Sequence, residues 1–152
     1  MSGRLVGFGY QGRTVADLVS QMRACGATLL VDVRLTPVSR VRGFSKRSLC
    51  SALAEEGLRY EHRPELGNPR DNRPGYAAPG TPAADRAHRR FREDVLTTRL
   101  AKDALSYLAD LVKGGEVVFL LCFERDQECC HRAQVIDAVY GARLPATALA
   151  PA

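Results

Sequence analysis

The densest group of chemically active side chains follows an apolar run near the end of the chain. Residues 117–121 are all apolar, which is typical of a strand covered on both faces. The next eleven positions hold thiols, carboxylates, guanidinium groups and an imidazole: Cys122, Glu124, Arg125, Asp126, Cys129, Cys130, His131 and Arg132. Such groups are costly to bury without partners, so their accumulation at one strand end indicates a site.

A second polar group follows the apolar run at residues 28–33. Asp32 lies inside this run, where an ionised carboxylate needs a partner. Arg34 and Arg40 are near enough in sequence to form a structural salt bridge with it, and the alternative is that Asp32 belongs to a site. Ser39 and Arg40, in the loop that follows, suit the binding of an anion.

A third polar group follows residues 58–62, whose alternation is typical of a half-exposed or edge strand. His62 ends this strand, and Pro64 holds Glu65 close to it. A single histidine is commonly a hydrogen-bonded structural residue. The nearby carboxylate makes an acid–base role the alternative for this pair.

The elements between these groups must bring the strand ends together. Residues 4–8 predict a first strand, and the 3.6-residue periodicity of 14–26 predicts a helix between it and the second strand. This order favours parallel strands. We therefore predict an α/β fold with a mainly parallel open sheet and helices on both faces, a Rossmann-like three-layer sandwich. Further helices are predicted at 46–56, 91–96, 100–113 and 133–140.

Parallel strands end at a common edge of an open sheet, where ligands bind. The helix that begins near His131 adds free N–H groups and a positive dipole end, which favour an anion. The candidates for substrate or anion binding are Arg34, Ser39, Arg40, Arg125 and Arg132. The catalytic, acid–base candidates are Asp32, His62, Glu65, Glu124 and His131.

The composition indicates a single globular domain over residues 1–152, with 45% hydrophobic and 26% charged residues. Five cysteines without framework spacing argue against a disulfide-stapled secreted protein. There is no signal pattern and no apolar run of membrane-spanning length, so we expect a cytoplasmic protein with no membrane partner. No oligomeric state is indicated.

The charge distribution points to an anionic partner. The net charge is +5, and the basic residues comprise 19 Arg and 3 Lys. Residues 34–99 contain 14 basic and 8 acidic side chains, an excess of 6. Because arginine recognises phosphate and carboxylate with a planar fork, the expected partner is an anionic small molecule or a nucleic acid.

Several functions fit these residues. The first is an enzyme, of hydrolase type, acting on a phosphate-bearing substrate such as a nucleotide or nucleic acid. The second is a non-catalytic module that binds nucleic acid through the basic segment 34–99. The third is a buried polar network without a ligand.

The thiols add two further alternatives. Cys122 is a candidate nucleophile for sulfurtransferase-like chemistry. A cysteine phosphatase is excluded because Glu128 stands where the Cys-x5-Arg motif needs arginine. No cofactor is predicted by spacing, but zinc on Cys122, Cys130 and His131, or on His62, is the alternative.

Four ordered motifs resemble those of the bacterial domain-of-unknown-function family 488. They are residues 7–10, residues 30–34 with 37–40 and Phe44, residues 60–62 with 64–67, and residues 120–126 with 130–132. The resemblance implies a compact cytoplasmic α/β domain and no particular activity. Cys129, beside the family-type Cys130, is an addition in this chain. The family's terminal histidine-containing strand is replaced here by the sequence beginning at Arg143.

Two segments are expected to be irregular. Residues 68–85 contain Pro69, Pro74, Pro79 and Pro82 and several glycines, so they predict a long Pro/Gly-rich loop. Residues 144–152 predict a frayed tail.

Overall fold

The sheet is four-stranded and parallel. The structure is a computed structural model that describes residues 2–143, and the tail predicted at 144–152 lies outside the described residues. The strand order is β1-β4-β2-β3, with every neighbouring pair parallel. The predicted α/β fold is confirmed. β4 lies between the first two strands, so β1 and β2 are parallel without being neighbours. The strands are β1 (Arg4–Gly9), β2 (Leu29–Asp32), β3 (Arg59–His62) and β4 (Val117–Cys122).

Within residues 2–143, five α-helices connect and cover the strands. The first begins at a capping box, in which the Thr14 hydroxyl accepts from the Asp17 N–H and the Asp17 carboxylate accepts from the Thr14 N–H. It ends at Gly26, whose φ of 72° lies in the left-handed region. The helices are α1 (Val15–Cys25), α2 (Lys46–Glu55), α3 (Pro82–Arg90), α4 (Arg99–Lys113) and α5 (Arg132–Arg143).

Alternation along the strands divides the core into two layers. On β4, Phe119 and Leu121 face the layer that contains α1 and α2, whereas Leu120 and Cys122 face the layer of α3, α4 and α5. Each layer is closed by the apolar faces of its helices, such as Leu18 of α1. The three-layer arrangement therefore follows from continuous apolar strands that are covered on both sides.

The predicted loop over 68–85 is more ordered than its composition suggests. Short 3-10 turns occupy Arg70–Asn72 and Pro74–Ala77, and α3 already begins at Pro82. A proline in the first helical turn loses no hydrogen bond, and the Thr81 hydroxyl caps this helix. Proline therefore marks a helix start here and not a continued loop.

Buried polar contacts fix this segment to the helices behind it. The Asn72 side-chain amide donates to the Asn68 side-chain oxygen and to the Ala87 carbonyl, each at 3.0 Å. The Tyr76 hydroxyl donates to the side-chain oxygen of Gln134 in α5. These contacts make the segment a fixed wall at the carboxyl edge of the sheet.

A single π-helical turn, Phe91–Val95, continues α3. It buries Phe91 completely and sets its ring against the His131 ring, with centroids 5.3 Å apart. Such turns commonly occur beside functional sites. Within residues 2–143, no helix is both long and apolar enough to cross a membrane.

Gly9 allows the loop after β4 to lie directly on the end of β1. A Cβ at Gly9 would lie 1.8 Å from the Glu124 carbonyl oxygen. Because this oxygen belongs to the backbone, the loop itself would have to shift to make room. We predict that Gly9→Ala lowers the free energy of unfolding by about 1–3 kcal/mol because of this overlap. Urea denaturation followed by circular dichroism measures the change.

Gly141 provides the control. It lies in α5, and a Cβ added there meets nothing within 4 Å. Gly141→Ala should leave stability unchanged or raise it by up to about 1 kcal/mol, as expected in a helix. Equal effects of the two substitutions would contradict the close approach at Gly9.

Candidate active site

A cavity of about 290 Å³ opens at the carboxyl edge of the sheet. Tyr10 contributes to its wall from the end of β1, and Arg34 and Arg40 from the loop after β2. The segment after β3 contributes Arg73 and Tyr76. The loop after β4 contributes Cys122, Glu124, Cys130 and His131. All four strand ends therefore supply the wall, as expected for a parallel sheet.

A buried ion pair lies beneath the cavity. Asp32 is fully buried, and its two carboxylate oxygens accept from Arg34 Nε at 2.8 Å and Nη2 at 2.6 Å. The Arg34 backbone N–H and the Tyr60 hydroxyl also donate to this carboxylate, at 3.1 and 2.6 Å. Asp32 thus forms the salt bridge that was one of the two alternatives for it, and its partner is Arg34 and not Arg40.

This pair changes the ionisation of its neighbours. Burial disfavours the charged Arg34 guanidinium, but its hydrogen bonds to Asp32 and the carboxylate charge outweigh burial and raise the pKa of Arg34. Burial and the hydrogen bond to Asp32 also raise the pKa of Tyr60. Arg34 and Tyr60 consequently keep their protons on either side of the Asp32 charge.

Arg34, itself in the cavity wall, also contacts the wall residue Tyr10. Its Nη1 donates to the Tyr10 hydroxyl oxygen at 3.2 Å. The Tyr10 ring stacks on Phe44 with centroids 4.4 Å apart and meets the edge of Phe123 at 5.3 Å. Because the hydroxyl oxygen accepts from Arg34, the hydroxyl proton remains available to donate towards the cavity.

Two histidines bind the backbone of the same short segment. His131 Nε2 lies 2.8 Å from the Val33 carbonyl, and His62 Nε2 lies 2.8 Å from the Arg34 carbonyl. A carbonyl only accepts, so both Nε2 atoms carry a proton. Asp32, His62 and His131, predicted from three different strand ends, therefore converge on residues 32–34.

Thiols and a carboxylate surround the other nitrogen of His131. Its Nδ1 lies 3.7 Å from the Cys122 sulfur and 3.7 Å from the Cys130 sulfur. The Cys122 thiol also lies 3.4 Å from Glu124 Oε2. Burial, together with Cys122, raises the pKa of the Cys130 thiol well above its ordinary value. These four residues form a compact group that we call the thiol–imidazole cluster.

Arg132 supports the loop that carries this cluster. It is 1% exposed, and its terminal nitrogens donate to the carbonyls of Glu124 at 2.6 Å and Arg125 at 3.2 Å. Its Nε is buried without a partner among the described residues. The Arg125 N–H is held by the Gln11 side chain at 3.2 Å. Arg125 and Arg132 are not part of the cavity wall.

The loop after β2 is shaped by serine hydroxyls. The Ser39 hydroxyl accepts from the Val41 N–H at 3.1 Å, and the Ser45 hydroxyl accepts from the Ser39 N–H at 3.0 Å. This local bonding turns Arg40 outwards at the cavity rim, where it is exposed. Within the described chain, Arg40 has no hydrogen bond or ion pair.

The predicted residues fall into two sets. Those in the cavity wall are Arg34, Ser39, Arg40, Cys122, Glu124 and His131. Those outside it are Asp32, His62, Glu65, Arg125 and Arg132. Glu65 lies instead 3.9 Å from Arg63, on the flank of the edge strand β3.

The wall residues that were not predicted as site residues include Tyr10, Asn68, Arg73 and Tyr76. Tyr10 stands in the glycine-bounded turn after β1, a position that could have suggested it. The others lie in residues 68–85, which were predicted to be an irregular loop because of their prolines and glycines.

The fold and cavity define a parallel α/β domain whose candidate site gathers residues at the carboxyl ends of its strands. A family model described as "Domain of unknown function DUF488" matches residues 14–139. The chain belongs to this family, as its motifs indicated. Neither the curated proteins nor the solved structures contain a match.

We predict that Asp32→Asn lowers the free energy of unfolding by about 3–5 kcal/mol, because it leaves the buried Arg34 charge without its counterion. Chemical denaturation measures the loss. Replacing both partners, as Asp32→Leu with Arg34→Met, should recover much of it because no buried charge then remains.

The exposed pair formed by Asp71 and Arg90 is the control. These side chains are 75% and 40% exposed and 3.1 Å apart. Asp71→Asn should lower the free energy of unfolding far less than Asp32→Asn does, because solvent screens this pair. A similar cost for Asp32→Asn and Asp71→Asn would show that the buried pair has no special role.

Proposed function

We propose that the protein is an enzyme that binds a phosphate-bearing anion in the cavity and hydrolyses it by acid–base chemistry. The observation that carries this proposal is the composition of the cavity wall. Arg40 and Arg73, which have no counterion among the described residues, share one cavity with a carboxylate, three thiols and an imidazole. Anion recognition and proton transfer therefore have groups in the same space.

The charge balance of the wall favours an anion. The Arg34 charge is offset by Asp32 at 2.6 Å. Arg73 uses its Nε on the Asn68 carbonyl at 3.3 Å, which orients its fork, and Arg40 is exposed at the rim. Guanidinium forks bind phosphate oxygens in pairs, so these two residues suit a phosphate group.

Glu124 is the group best placed for proton transfer. It is partly buried, lines the cavity and lies 3.4 Å from the Cys122 sulfur. Its carboxylate can accept a proton from an attacking water and return it to a leaving group. The Tyr10 hydroxyl, oriented by Arg34, can donate to an oxygen of the substrate.

The cavity volume restricts the size of the bound group. At about 290 Å³, it lies at the small end of ligand pockets in proteins. A small phosphate ester or one nucleotide unit fits this range better than a polymer laid across the site. This favours hydrolysis of a small substrate, or of one end of a longer one.

The second candidate function is a non-catalytic module that binds nucleic acid. The excess of 6 positive charges over residues 34–99 favours it. However, several of these arginines are already paired, as in the contacts of Arg59 with Glu116 and of Arg63 with Glu61, both at 2.9 Å. Such pairs reduce the positive field available to a phosphate backbone.

Nucleophilic use of Cys122 has weaker support. The neighbours of its sulfur are a carboxylate, a second cysteine and His131 Nδ1 at 3.7 Å. A reactive thiolate requires positive neighbours. If alkylation of Cys122 abolished turnover while Glu124→Gln did not, the thiol pathway would replace the acid–base pathway.

We predict that isothermal titration calorimetry detects binding of inorganic phosphate or of nucleoside mono- and triphosphates. Arg40→Gln should weaken the affinity for the best ligand at least tenfold, because it removes a cation at the cavity rim. Arg42→Gln is the matched control, since Arg42 is equally an exposed arginine of this loop but is not in the cavity wall. Equal effects would indicate a general charge effect.

We predict that Glu124→Gln lowers turnover of the best phosphate ester at least a hundredfold and leaves its binding within a fewfold of wild type. Turnover is followed by phosphate release. Unchanged turnover would exclude Glu124 as the acid–base group. Binding of DNA or RNA oligonucleotides with steep salt dependence, and no hydrolysis of any ester, would favour the non-catalytic module.

A further inference from the structure

Three soft ligand atoms of the thiol–imidazole cluster point at a common space. The Cys122 sulfur, the Cys130 sulfur and His131 Nδ1 all lie within 4.8 Å of one another, and all three residues are buried. They come from the last residue of β4 and the two residues before α5. The loop between them returns through the 3-10 turn Gln127–Cys129.

We propose that Cys122, Cys130 and His131 bind a Zn²⁺ ion whose fourth coordination position faces the cavity. The metal site rests on the geometry of these three residues alone. Its catalytic use deepens the proposed hydrolytic function and rests on it.

The distances agree with tetrahedral coordination. Zinc lies 2.3 Å from thiolate sulfur and about 2.0–2.1 Å from imidazole nitrogen, which places sulfur and nitrogen roughly 3.6 Å apart in a tetrahedron. His131 Nδ1 lies 3.7 Å from each sulfur. Both nitrogen–sulfur distances thus match the tetrahedral value, and the two sulfurs lie within 4.8 Å of each other.

The ring of His131 is held for this role by a contact on its far side. Its Nε2–H donates to the Val33 carbonyl at 2.8 Å, so that in the neutral imidazole the lone pair is on Nδ1, 3.7 Å from each of the two sulfurs. The Phe91 ring packs against the imidazole. A backbone carbonyl bound to the other ring nitrogen is the usual support of a metal-binding histidine.

One backbone N–H would stabilise Cys130 as a thiolate ligand. The Arg132 N–H, at the start of α5, lies 3.5 Å from the Cys130 sulfur and donates to it. Two thiolates also balance the charge of one Zn²⁺, so the complete site is neutral overall. This neutrality matters because an unbalanced charge is costly in a buried position.

The donor set selects the metal. Two sulfurs and one imidazole nitrogen are soft ligands, which favour zinc over the oxygen-seeking magnesium and calcium. Three protein ligands with one open position are typical of catalytic zinc, whereas structural zinc has four protein ligands. All three residues line the cavity, so the open position is accessible to substrate.

Glu124 completes the chemistry of the site. Its Oε2 lies 3.4 Å from the Cys122 sulfur, at the cavity side of the cluster. A water on zinc loses a proton far more readily than free water, and Glu124 can take that proton. The hydroxide then attacks the phosphorus, the ester bond breaks, and the leaving oxygen receives the proton from Glu124. Water is the only co-reactant.

The first test is metal analysis of the full chain purified without an affinity tag and without chelators. We expect about one zinc per chain by plasma mass spectrometry. Metal-free protein should also take up Co²⁺ and show the thiolate charge-transfer and d–d absorption of a tetrahedral sulfur-containing site. Absence of zinc together with no uptake of Zn²⁺ or Co²⁺ would overturn the proposal.

Matched cysteine variants locate the site. Cys122→Ser, Cys130→Ser and His131→Ala should each lower the zinc affinity at least tenfold in competition with a chelator. Cys50→Ser, at an exposed position in α2, and Cys129→Ser, next to Cys130, should retain one zinc. Retention of full zinc affinity by Cys122→Ser or Cys130→Ser would contradict the ligand set. If one of these variants does not fold, the cobalt spectrum of wild type still counts the thiolates.

The metal site and the proposed function fail in distinguishable ways. Zinc binding without any bound phosphate ligand would support the metal site and contradict the phosphate-binding function. Phosphate binding and Glu124-dependent turnover in a protein that takes up no Zn²⁺ or Co²⁺ would support the proposed function and contradict the metal site.

Discussion

The buried pair formed by Asp32 and Arg34 is the interaction on which the rest of the site depends. Its Asp32 carboxylate accepts hydrogen bonds from Arg34 Nε and Nη2 and from the Tyr60 hydroxyl. The pair fixes the backbone of residues 32–34. That backbone in turn presents two carbonyls to His131 and His62. One ion pair therefore orients the groups that two other strand ends deliver.

The cavity forms at the strand ends, where side chains from both faces of the sheet come together. Side chains alternate along a strand, so Phe119 and Cys122 belong to opposite core layers. At the strand ends this separation disappears. Tyr10 comes from the layer of α1 and α2, and Cys130 comes from the layer of α3 to α5, yet both line one cavity. Sites in parallel sheets gain their chemical variety from this mixing.

The sequence predicted the strands and most helices because their periodicities are strong. It could not predict which partner each polar side chain contacts. Arg132 was expected to bind an anion, since its type and position at a helix start suggested it. Its long side chain instead reaches the carbonyls of Glu124 and Arg125. Arg73 was passed over because prolines surround it. Strand order and loop folding decide such cases, and both depend on tertiary packing that local patterns do not contain.

The spacing of the cysteines illustrates the same limit. Cys122 and Cys130 are eight positions apart, unlike the short spacings by which metal sites are recognised. They meet because Gly9 admits the intervening loop onto the end of β1, and Arg132 holds its carbonyls. Each anchor lies outside the cavity. The positions of sulfur and imidazole are thus set by the fold, so a ligand would not have to order them first.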